Sequence, residues 1–166
     1  MNSVLTLPSP PTIWLQQAGK PLLILHALIA ILLLGSITHN TLLTVRYLWG
    51  HFHKITLEKL YVKVGLIAYA LTFGLGAIIY PNYRYHVRAR YFDPEIPWAS
   101  YLFDIKEHWA AIGLILFGIF YLLSREIDPR RHRQTLFIYV FLSLCLCLIV
   151  WFSLISGLLL TSYRSI

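Results

Sequence analysis

The sequence has little charge. Asp, Glu, Lys and Arg make up 13% of its 166 residues, against about 25% in an ordinary soluble protein. Acidic residues are the scarcer sign, 7 against 14 basic ones. So few charges cannot cover the surface of a water-soluble globule, which argues against a soluble enzyme, a nucleic-acid-binding domain and a disordered chain. Cysteine is nearly absent as well. Cys145 and Cys147 lie in one apolar run, and a helix points residues i and i+2 about 200° apart. They cannot pair with each other and say nothing of a redox compartment. The sequence has no GxSxG, Walker loop, HExxH or CxxC. The N-terminal twenty residues lack a basic leader, and Pro8, Pro10 and Pro11 break their apolar run, so they do not read as a signal peptide.

Hydrophobic residues are abundant, at 58%. Mean hydropathy is +0.66. The apolar residues concentrate in four runs, about 21–49, 61–80, 105–123 and 136–160. Each approaches or exceeds the roughly 20 residues that cross a bilayer core. A span in lipid must satisfy its own backbone hydrogen bonds, so these runs are expected as helices. The predicted fold is all-α: a single integral-membrane domain forming a four-helix transmembrane bundle. A long interfacial loop, 81–104, joins the second and third helices. The net charge of +7 then suits lipid headgroups rather than nucleic acid.

Loop charges give an orientation. Arg46, Lys54, Lys59, Lys63, Arg125, Arg130, Arg131 and Arg133 lie on one side; Lys20, Arg84, Arg88, Arg90, Lys106 and Arg164 lie on the other. Eight against six places both termini and loop 81–104 outside the cytoplasm. That loop is basic in its first half and acidic in its second. Tyr80, Tyr83, Tyr85, Tyr91, Trp98, Tyr101 and Trp109 suit rings at headgroup depth. It reads as an interfacial cap held by ion pairs, or as a docking surface for a redox partner or other membrane subunits.

Ionisable groups within spans are costly and so are functional candidates. Three histidines qualify: His26, His39 and His108. The other four, His51, His53, His86 and His132, sit among basic loop residues and read as solvated or headgroup-facing. His26 is about one turn into the first helix and His108 opens the third. These helices run the same way, so both histidines lie near one membrane face. That arrangement suits bis-histidine ligation of a b-type haem, with Lys106 and Arg84 or Arg88 pairing its propionates. His39 follows His26 by 13 residues, a turn of about 220°, which disfavours a second haem on the same helix face. Asp104, Lys106, Glu107 and His108 form a polar head to the third helix, with Asp104 near its N-cap. Gly65, Tyr69, Thr72 and Gly76 share one face of the second helix, where close packing is expected.

Several positions resemble a known superfamily. Leu25-His26, Gly35, Arg46-Tyr47, the Leu57-Glu58-Lys59-Leu60-Tyr61 approach, Gly74, Gly76 and Asp104-Ile105-Lys106 are similar to the small bacterial membrane proteins that include oxygen-independent protoporphyrinogen IX oxidase and the copper-resistance D-type proteins. The resemblance covers roughly residues 22–123. It implies the bacterial inner membrane, haem b on His26 and a required lysine at Lys106. Segment 81–103 and His108 depart from the family pattern. The leading expectation is a haem b-binding redox protein or an electron-transfer subunit of a respiratory or photosynthetic complex. A cofactor-free accessory or assembly subunit is the alternative, and a porphyrinogen oxidase is a third reading.

Overall fold

A computed structural model describes residues 16–131 and 133–166. The N-terminal segment read above, as far as residue 15, and His132 lie outside them. A short 3-10 turn, Gln16–Ala18, leads into α1, Gly19–Tyr47. Then follow α2, Ile55–Tyr83; a π-helical stretch, Arg84–Phe92; the single turn α3, Asp93–Glu95; α4, Pro97–Glu126; and α5, Arg133–Tyr163. Among the described residues four helical stretches are long and apolar enough to cross a membrane.

The expected architecture holds, with one correction. Segment 81–104 is not a loop. The helix passes through Pro81 to Tyr83 and continues in the wider π form to Phe92. Ile96, at φ −140°, breaks it, and Pro97 starts α4 at its first position, where a missing N–H is harmless. Helix α4 therefore starts eight residues before the expected 105. Asp104 lies two turns inside it rather than at its N-cap. Helices α2 and α5 are also longer than their apolar runs, because polar first and last turns carry no hydropathy signal, whereas α1 keeps the expected length and starts and ends two residues earlier.

Helix α1 packs on α2 and α5, and α4 packs on the same two. The ring order is thus α1, α2, α4, α5. Ile37, Val62, Phe117, Phe120, Tyr139 and Leu146 fill its centre. A Cβ on Gly65 would stand 2.6 Å from the Phe117 ring, so this glycine lets α4 approach α2. The outer faces carry exposed Ile24, Leu28, Ile31, Leu148 and Leu158. Large apolar side chains outside and polar ones inside suit lipid as the solvent.

The helical elbow, residues 84–96, closes one end of the bundle. Val87 and Phe92 bury themselves against Ala99, Phe103 and Leu160, and Tyr83 stacks on Phe103 with centroids 4.3 Å apart. Arg88 clasps Asp104 through two bonds, of 2.6 and 2.9 Å, and Asp93 lies 3.5 Å from its Nε. This fork is planar and two-pronged, which an ammonium cannot reproduce. Arg88→Lys is therefore expected to loosen the elbow nearly as much as Arg88→Ala, by about 1 kcal/mol for this partly exposed pair. Faster amide exchange across residues 84–96 in both variants is the readout; protection retained by the lysine variant would refute the fork's role.

Candidate functional site

At the elbow end, four helices bring polar groups to one level of the interior. His26 is seven residues into α1, and Lys106 is nine residues into α4, depths of about 10 and 13 Å at 1.5 Å per residue. The His26 ring packs where α2 has only a glycine: a Cβ on Gly76 would stand 3.5 Å from its Cε1. The Thr72 main chain lies beside the ring, and Lys106 is its charged neighbour. Among the described residues His26 Nδ1 is buried without a hydrogen-bond partner. Across the interior, the Lys106 stem passes Gly157 of α5, with Cε 3.8 Å from the position of a Cβ there. Its ammonium lies 5.1 Å from the Phe103 ring centroid. Among the described residues no carboxylate stands within ion-pair distance of Lys106. Ser153, one turn before Gly157, also has a buried hydroxyl without a partner.

Buried polar groups are normally paired. Among the described residues, an imidazole nitrogen and a hydroxyl here have no hydrogen-bond partner, and an ammonium has no carboxylate within ion-pair distance. The set offers one metal-ligating nitrogen and one cation. Among the described residues no three His, Cys, Asp or Glu side chains gather to hold a bare metal ion. A single histidine suits a metal whose remaining ligands come from its own cofactor.

The other expected site residues are placed differently. Two residues turn a helix by about 200°, so His108 points away from the side that carries Lys106. Its ring is exposed, with Nδ1 donating to the Asp104 carbonyl at 2.7 Å, and it is not brought to His26. Arg84 is exposed at the elbow. Arg88 is engaged by Asp104 and Asp93. His39 is exposed too, bonded to the Gly35 carbonyl and stacked on Tyr61 of α2 with centroids 5.6 Å apart.

The opposite end holds a polar cluster that the sequence reading missed. Glu58, in the first turn of α2, is 1% exposed. Its Oε1 accepts from Asn40 Nδ2 of α1 at 2.8 Å and from the Tyr139 hydroxyl of α5. Ser143 donates to Asn40 Oδ1 at 3.0 Å, and the Thr41 and Ser143 hydroxyls lie 2.9 Å apart. This chain of bonds ties three helices together. A signal for it was present. Glu58 and Val62 continue the Gly65–Tyr69–Thr72–Gly76 stripe back by two turns, at spacings of seven and three residues.

Compared with protein-family models, curated proteins and solved structures, the chain matches none of them.

Proposed function

We propose that the protein binds haem b in the membrane and serves as a redox protein or an electron-transfer subunit, with His26 as the ligand to iron. The observation that carries this reading is the pairing, at one depth, of an imidazole whose buried Nδ1 has no hydrogen-bond partner among the described residues with a lysine that has no carboxylate within ion-pair distance. The haem would supply one-electron exchange at its iron. Lys106 is a cation available to a propionate within the bundle, and Arg84, which forms no ion pair among the described residues, is another at the same end. Arg88 already spends its fork on Asp104, and its part is to hold the elbow over the site. Gly76 keeps the His26 side of α2 clear of side chains. Within the hydrocarbon of a bilayer water is scarce, which would strengthen the lysine–propionate attraction.

This reading places the chain in the bacterial inner membrane, with both termini and the elbow on the extracytoplasmic side. An electron-delivering partner or further membrane subunits would then meet the elbow. This chain would supply one histidine to the iron, because His108 faces outward.

The test is the spectrum of detergent-purified variants produced with ample haem. His26→Ala is expected to lose at least nine-tenths of the bound haem. His108→Ala is expected to keep the haem and its α-band. A His26→Ala protein with full haem content would overturn the assignment. Loss in both variants would restore the two-histidine site.

A further inference from the structure

We propose that the elbow end carries a second, separate site, a pocket that binds the phosphate of an anionic phospholipid headgroup. A cavity of about 480 Å³ opens there, within the range of small-ligand sites. Lys20, His86, Arg90 and Arg164 line it, and no acidic side chain does. Asn82, only 5% exposed, adds an amide to the wall. Nε2 of His86 is buried without a hydrogen-bond partner among the described residues. Gly19 makes room for the amide: a Cβ there would stand 2.4 Å from Asn82 Nδ2.

The cations are set in place by their neighbours. Arg90 stacks on Tyr85, 4.6 Å from the ring centroid, and its Nη2 donates to the Tyr85 hydroxyl. Arg164 lies over Tyr91 at 5.6 Å. Among the described residues neither arginine forms an ion pair. Four basic side chains line the pocket and no acidic side chain joins them, which favours a compact anion, and arginine forks match phosphate oxygens.

The pocket's surroundings favour a lipid over free phosphate. Lys20, Ile24, Leu28 and Ile31 fall on one stripe of α1, at spacings of four, four and three residues. All four are exposed. A headgroup held at Lys20 would lay its acyl chains along this apolar stripe. Tyr85 and Tyr91 beside the pocket suit headgroup depth.

The test compares delipidated protein titrated with phosphatidylglycerol, with phosphatidylcholine and with inorganic phosphate, read by native mass spectrometry and by thermal unfolding. Wild type is expected to hold phosphatidylglycerol at least tenfold more tightly than phosphatidylcholine. Each surface cation contributes roughly fivefold, so the doubly substituted Arg90→Gln, Arg164→Gln protein should lose most of that preference. Both side chains are exposed, and unchanged circular dichroism would show that the variant folds. Equal retention of the two lipids, or a preference that survives the double substitution, would overturn the site. An equal thermal shift from inorganic phosphate alone would overturn the lipid assignment. His26→Ala should leave the lipid preference unchanged, so this pocket and the haem reading succeed or fail separately.

Discussion

Glu58→Ala is expected to destabilise the bundle by about 2–3 kcal/mol. The carboxyl is 1% exposed and is the common acceptor for Asn40 and Tyr139. Removing it strands two donors from two other helices in a dry interior and leaves a void. An unsatisfied buried group costs roughly 1–3 kcal/mol in water-soluble proteins. In membranes the measured interhelical bonds average about 0.6 and reach about 1.7 kcal/mol, because the separated helices also find partners. Two such bonds plus the cavity set the expected range. Glu58→Gln keeps an acceptor for the Tyr139 hydroxyl and should cost about 1 kcal/mol. Tyr139→Phe removes one donor and should cost a similar amount. Equilibrium unfolding in bicelles measures all three. A Glu58→Ala protein within 0.5 kcal/mol of wild type would show that the cluster does not join the helices.

Alanine at the two glycines of α4 should have opposite effects. A Cβ at Gly113 would stand 2.2 Å from the Tyr69 hydroxyl and 3.0 Å from Ile149 Cγ2. Tyr69 cannot easily give way, since its ring packs edge-on against Phe117 and its hydroxyl donates to the Ala110 carbonyl at 2.9 Å. Overpacking costs about 1–3 kcal/mol, and the lost hydrogen bond about 1 more. Exchanging glycine for a better helix former returns up to about 1. Gly113→Ala should therefore lose about 1–3 kcal/mol. At Gly118 nothing lies within 4 Å of the new methyl, so only the helix term remains. Gly118→Ala should be neutral or up to about 1 kcal/mol more stable. The same unfolding assay separates them, and equal effects would contradict the packing described for α2, α4 and α5.

The four crossings were legible because lipid demands long apolar runs, and this sequence confines its charges almost entirely to their ends. The elbow was not legible. Pro81 and the charged residues after it look like a break, yet the helix tolerates the proline and uses Val87 and Phe92 to pack against α4 and α5. Glu58 was hidden for a related reason. Hydropathy started the second helix at 61, whereas the helix starts at Ile55 and turns Glu58 inward. That His26 and His108 lie toward the same end of the bundle could be read from the sequence, but not their depths, since α4 starts at Pro97 and carries His108 well past its first turn. Their directions could not be read either, because the true start of α4 and its rotation against α2 and α5 are set by packing. Lys106 faces the bundle, and a residue two positions later then faces out. The polar groups of the pocket at Lys20, His86, Arg90 and Arg164 come from three separated segments, which no local spacing brings together.

The most direct measurement is the absorption spectrum of the wild-type protein, purified in detergent from cells supplied with haem, oxidised and then reduced with dithionite. A sharp reduced α-band, with close to one haem per chain by extraction, is the expected result. Clean, folded protein with no such band and no extractable haem would contradict haem binding at His26, and would leave the cofactor-free accessory subunit as the better reading of this bundle.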